Sequence, residues 1–175
     1  MRGTADLTLA AVAVSVLIAD QATKFWAQAA LDDGPIDVVW TLRFYLVGNT
    51  GMSFSRGSDL GPFLGLAIVA IVVALVVFRS RIRPGWPLFA YGCILGGAMG
   101  NLADRVFRGE GWLRGAVVDF IDFQWWPVFN IADMGIVCGG VAMVLISWFD
   151  ARHDDGAGTP PIDGSDVGSA EQATE

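Results

Sequence analysis

Residues 62–78 read PFLGLAIVAIVVALVVF, with no charged side chain in the run. A helix of this length suits the hydrocarbon core of a bilayer, about 30 Å thick. Arg79, Arg81 and Arg83 follow at once, and Pro84 and Pro87 close a short connection. A charge-free span stopped by arginines makes this a membrane protein, and its neighbours can be read in that light.

Three further segments fit the same pattern. Residues 7–29 form the first apolar stretch. Ala27-Gln28-Ala29 has the small-x-small form of a signal-peptide cleavage site. Asp20, Gln21 and Lys24 interrupt the apolar run, however, which argues for a retained span. Asp20 and Lys24 are four apart and share one helix face. Residues 87–105 carry Gly92, Gly96, Gly97 and Gly100, and Gly96-x-x-x-Gly100 predicts a close helix–helix approach. Residues 128–149 form the last span. The expected fold class is an all-α membrane protein with four transmembrane helices and a small extracytoplasmic β-sheet. One domain covers residues 1–150, and an acidic, disordered cytoplasmic tail covers 151–175.

Composition agrees. The chain of 175 residues is 54% hydrophobic, with a mean hydropathy of +0.52, too apolar for an ordinary soluble domain. Its seven Trp and eleven Phe fit rings placed at membrane interfaces. The net charge of −7 comes from the tail, where Asp150, Asp154, Asp155, Asp163, Asp166, Glu171 and Glu175 face one base, Arg152. No cluster of Lys and Arg marks a nucleic-acid surface. Cys93 and Cys138 sit in apolar runs and read as small buried hydrophobes. His153 is the one histidine and lies in the tail, so a His/Cys metal site is not expected.

The connections are not featureless. Ile36 to Val47 is rich in β-branched and aromatic residues and predicts a strand. Gly48-Asn49-Thr50-Gly51 predicts a turn, with Gly51 at a positive φ and Met52 to Ser55 returning as a second short strand. Residues 107–127 read as a polar loop. The three arginines within residues 79–86 place that loop in the cytoplasm by the positive-inside rule. Both termini are then cytoplasmic, and Asn49 and Asp119 face outward. Arg43, Arg56, Arg108 and Arg114 lie on the outer side and weaken the asymmetry.

Chemistry gathers at that outer face. Asp119 and Asp133 are fourteen positions apart with Pro127 between them, so a loop must fold back to bring them together. Two close carboxylates share a proton, and one then acts as acid while the other acts as base on a water. On spacing alone, Asp119 reads equally as a solvated loop residue and Asp133 as a carboxylate at a helix N-terminus. Asn130 lies three residues before Asp133. Asn101, Asp104 and Arg105 end the third span and read as supports for the pair, with Arg105 suited to an acid or a lipid phosphate. A proton-coupled transporter is the main alternative, but it would need polar groups at several depths. A structural subunit would explain Gly96-x-x-x-Gly100 but not the carboxylates.

These residues form one ordered set: Asp20-Gln21-x-x-Lys24, Asn49-x-Gly51-x-x-Phe54, Gly96-Gly97-x-x-Gly100-Asn101-x-x-Asp104-Arg105, Val117-Val118-Asp119-Phe120 and Phe129-Asn130-x-Ala132-Asp133. The set resembles lipoprotein signal peptidase, the type II signal peptidase family of bacteria, over residues 7–149. The resemblance implies an aspartic endopeptidase of the inner membrane that removes the signal peptide from diacylglyceryl-modified prolipoproteins just before the lipidated Cys. It makes Asp119 and Asp133 the catalytic pair. Asp20, Lys24, Asn49, Gly51, Gly97, Asn101, Asp104, Arg105, Asn130 and Ala132 become supporting or substrate-binding residues. The strand-like segment around Asn49 would hold the extended peptide. Met52-Ser53 stands where the family commonly has Ala-Ala. A monomer is expected, with membrane lipid around it, no nucleic-acid partner, and no metal or cofactor.

Overall fold

The computed structural model describes residues 2–50, 61–109 and 111–156. Its helices are α1 (Arg2–Ala30), α2 (Gly61–Phe78), α3 (Trp86–Phe107) and α4 (Ile131–Gly156), and its strands are β1 (Ile36–Val39), β2 (Leu42–Asn49) and β3 (Val117–Asp122). Three helices, over Gly3–Ala30, Pro62–Arg81 and Ile131–His153, are long and apolar enough to cross a membrane. The fourth expected span is α3, a helix of 22 residues that differs from the others in being buried. It packs against α1, α2 and α4. A helix enclosed by protein can carry polar side chains that lipid would reject, and Asn101, Asp104 and Arg105 are all buried on it.

Small residues let the neighbours of α3 close in. A Cβ at Gly96 would meet Val16 of α1 at 2.8 Å, and one at Gly100 would meet the Asp20 carboxylate at 2.5 Å. On the other face, a Cβ at Gly97 would strike the carbonyl oxygen of Ala132 on α4, and one at Gly139 would meet the Ala90 carbonyl of α3 at 2.6 Å. The expected Gly96-x-x-x-Gly100 contact is thus the α1 seam, and Gly97 opens a second seam toward α4. Pro87 sits in the first turn of α3, where its missing N–H has no intrahelical partner to lose. Gly85 precedes the helix at φ 99°, a conformation that favours glycine.

The sheet has the order β1-β2-β3, with both pairs antiparallel. Two expectations change here. Chain reversal occurs at Trp40-Thr41, with Trp40 at φ 57°, and not at Gly48-Asn49. Gly48 and Asn49 instead pair with Val118 and Val117, because β3 offers a ladder partner from far along the chain. Met52–Ser55, expected as a return strand, lies outside the described residues, as does Gly51. The stretch taken as a polar loop contains β3. Its Val117, Val118, Phe120 and Ile121 favour a strand, and five of its six residues are buried. The sheet packs on the end of α1, where Ala27, Leu31 and Phe120 form a cluster with Phe44 and Leu46.

At the opposite end, Arg79 pairs with Asp6 at 3.3 Å and Arg83 with Asp150 at 3.3 Å. These contacts gather the start of α1, the α2–α3 connection and the later turns of α4. The last helix runs past the expected end at Phe149 to Gly156. Cys138, expected inside, lies on an exposed face of α4, and Cys93 is half-buried.

Candidate active site

The start of α4 builds half of the site. Asn130 precedes the helix and Asp133 stands at its third position. The Asp133 N–H donates to Asn130 Oδ1 at 2.9 Å, and the Asn130 N–H donates to Asp133 Oδ2 at 3.3 Å. This reciprocal capping box satisfies two backbone donors that a helix start leaves open. A third, the N–H of Ala132, donates to Asp20 Oδ1 at 2.9 Å. Asp133 is therefore held by its own helix end, and its Oδ1 also accepts from Asn101 Nδ2 at 2.8 Å.

The other half comes from the sheet. Asp119 is on β3 opposite Val47, so it is strand-borne and more firmly held than a loop residue. Its carboxylate is 3% exposed. Oδ1 accepts from Asn130 Nδ2 at 2.6 Å and Oδ2 from Asn49 Nδ2 at 3.1 Å. One asparagine thus touches both carboxylates, that of Asp119 through its side-chain amide nitrogen and that of Asp133 through its backbone N–H. Burial pushes the Asp119 carboxyl up to about 6, since its charged form loses water. The nearby Asp133 charge pushes the same way, while the bonds from Asn49 and Asn130 oppose both.

Behind the pair lies a buried ionic network. The Lys24 ammonium meets Asp20 Oδ2 at 2.8 Å, Asp104 Oδ2 at 2.7 Å and Asn101 Oδ1 at 3.1 Å, so all three donors are used. Lys24, Asp20 and Asp104 are fully buried. Asn101 Oδ1 also accepts from Asn130 Nδ2 at 3.2 Å. With its oxygen held by these donors, the Asn101 amide must turn its nitrogen toward Asp133. Asp104 in turn accepts from the Val118 N–H at 3.1 Å, tying α3 to the strand that carries Asp119.

Two residues singled out from sequence take other parts. Arg105 is 4% exposed, so it is not placed at a lipid surface. Its Nη1 donates to the Gly115 carbonyl at 3.2 Å, and the Gly115 N–H donates to the Arg105 carbonyl at 3.0 Å. Arg105 thereby clamps the segment leading into β3. Its Nε is buried without a hydrogen-bond partner, and its guanidinium faces the charges of Asp119 and Asp104. Ala132 is fully buried against Gly97. The sequence reading passed over Arg108 as a site residue. Its Nε meets Asp104 Oδ1 at 2.7 Å, and Arg108 also bonds Gln28 and lies over Phe25. The i,i+4 spacing from Asp104 was the available signal. Gln21 joins the same cluster, donating to Asp104 Oδ1 at 3.1 Å.

An apolar groove of about 310 Å³ opens beside Asp133, lined by Trp126, Phe129, Met134, Val137 and Cys138. A carboxylate pair with Asp119 buried and Asp133 half-buried at the mouth of an apolar groove, linked by amides, is suited to acid–base work beside an apolar surface.

Comparison with known proteins points the same way. The family described as signal peptidase (SPase) II matches residues 12–149. A lipoprotein signal peptidase of Rhodococcus jostii (strain RHA1) is 40% identical over 150 residues, covering 85% of this chain and 76% of that protein. One of Mycobacterium tuberculosis (strain ATCC 25618 / H37Rv) is 41% identical over 157 residues, covering 85% and 78%. Among solved structures, a bacterial membrane enzyme determined by the in meso method at 2.3 Å resolution superposes with a TM-score of 0.71 at 28% identity, covering 86% of this chain and 91% of that one.

Proposed function

The chain belongs to the signal peptidase II family, whose members remove signal peptides from prolipoproteins, and we propose that Asp119 and Asp133 are the pair with which it does so. The observation that carries this assignment is Asn130, whose side-chain amide donates to the Asp119 carboxylate and whose backbone N–H donates to the Asp133 carboxylate. The site is an aspartic one that holds one proton between two carboxyl groups. Asp119, pushed up to about 6, enters the cycle in its protonated form. Asp133 takes a proton from a water as its oxygen attacks the scissile carbonyl, while Asp119 protonates the carbonyl oxygen. Collapse of the gem-diol returns a hydroxyl proton to Asp119, and Asp133 passes its proton to the leaving amine. A new acid and a new amine result, and the pair ends as it began.

The reading extends to the surroundings. The substrate's Cys carries diacylglycerol, its signal helix lies among the spans, and its extended peptide runs along the sheet near Asn49. We take α3 as a fourth span, since its 22 residues measure about 33 Å. The protein is taken to be a monomer of the inner membrane, with the arginine connection and both termini cytoplasmic and the sheet at the outer face.

The direct test incubates purified protein with a diacylglyceryl-modified prolipoprotein and with its unlipidated form. Cleavage of the lipidated form just before the Cys is expected, and Asp119→Asn and Asp133→Asn should each remove it while the protein stays folded. Wild-type rates in either variant would overturn the assignment of the pair.

A further inference from the structure

We propose that the apolar groove beside Asp133 receives an acyl chain of the lipid-modified substrate and so aligns the scissile bond. This rests on the peptidase reading above and adds a specificity site to it. Asp133, Met134, Val137 and Cys138 lie on one face of α4, and Trp126 and Phe129 wall the groove beside them. Asp133 supplies the one charge in that lining. Further along the same face, Val141, Val144, Leu145 and Trp148 are exposed. The groove is thus the head of an apolar track that begins at a candidate catalytic carboxylate and continues down the helix.

The chemistry of the substrate calls for such a track. The lipid hangs by a thioether from the residue whose nitrogen is released, so the glyceryl group starts only a few bonds from the scissile amide. Whatever surface adjoins the pair must therefore accept uncharged, apolar chains. A bilayer is as apolar as the groove, so moving a chain from one to the other gains little hydrophobic free energy. What the groove supplies is orientation, and misplacement of a reacting bond by about 1 Å costs about a hundredfold in rate. Its influence belongs in kcat/KM and in acyl-chain preference.

The experiment compares two prolipoproteins, one bearing dipalmitoyl and one dibutyryl glyceryl-Cys, on the wild type and on Val137→Trp. Filling this open apolar groove with an indole ring is expected to lower the long-to-short ratio of kcat/KM by about tenfold or more. Because a bulky variant can misfold, the wild type is also photolysed with a substrate carrying a diazirine in its acyl chain. Cross-links to Met134, Val137 or Cys138 are expected, more than from a diazirine phospholipid at the same mole fraction. An unchanged ratio, an equal loss on both substrates, or cross-links elsewhere or equal to the phospholipid's would overturn the groove assignment while leaving the peptidase standing. Failure of the wild type to cleave either substrate would overturn the peptidase reading itself.

Discussion

Asp119 is kept almost wholly from water, at 3% exposed, and the fold bears a cost for it. Its carboxyl is raised from 3.8 to about 6, so the folded state binds the proton more tightly than the unfolded chain. Stability from this group is full below the unfolded value, falls as pH rises between the two, and stays lower above about 6. One unit corresponds to about 1.4 kcal/mol, so the loss reaches about 3 kcal/mol at neutral pH. Asp119→Asn removes the titration. The variant's stability relative to wild type should therefore climb by up to about 3 kcal/mol between pH 4 and pH 7. Thermal or denaturant unfolding in detergent at several pH values checks this, and a difference that stays flat with pH would refute it. The residue type at 119 was legible in the sequence. The shift was not, because it arises from burial in a sheet and is opposed by two asparagines, Asn49 and Asn130, that arrive from elsewhere in the chain.

The N-terminus of α4 is where the elements converge. Asn130 and Asp133 cap it from within, and Asp20 of α1 caps it from outside through the Ala132 N–H. The i,i+4 pairing of Asp20 with Lys24 could be read from spacing. The third partner, Asp104, could not, since it comes from another helix 80 residues on. Lys24→Met would leave Asp20 and Asp104 buried without the cation between them, and Asn101 without one donor. Breaking a buried pair in this way costs about 3–5 kcal/mol, and a fall in unfolding free energy well short of that would argue against the network's weight. Gly97→Ala acts on geometry. The added Cβ strikes the Ala132 carbonyl and must push the first turn of α4, with Asp133, away from Asn101. The expected outcome is a kcat lower by about tenfold to a hundredfold with KM less affected, measured by steady-state cleavage. An unchanged kcat would mean that the seam relaxes elsewhere.

The whole molecule is sorted along one axis, and its tryptophans mark the two ends. Trp40, Trp112, Trp125 and Trp126 are exposed around the sheet, with Trp26 nearby on α1, whereas Trp86 and Trp148 are exposed at the arginine end. Rings at both interfaces are what a spanning protein needs, and composition alone foretold them. Hydropathy likewise revealed α1, α2 and α4, because each shows an apolar face to lipid. The sheet was only half legible, since Asn49 pairs with Val117, a partner that no local pattern signals. The ion pairs Arg79–Asp6 and Arg83–Asp150 bring the start of α1 and the end of α4 to the same side as the arginine connection. Such exposed pairs contribute little stability, but they make the sidedness testable at one stroke. With Cys93 and Cys138 replaced by Ser, a single cysteine is placed either at Asp33, exposed in the turn before β1, or at Ser80, exposed in the arginine connection. A membrane-impermeant maleimide should label Asp33→Cys in spheroplasts and Ser80→Cys only after lysis. The reverse pattern would invert the molecule and put the carboxylate pair at the cytoplasmic face.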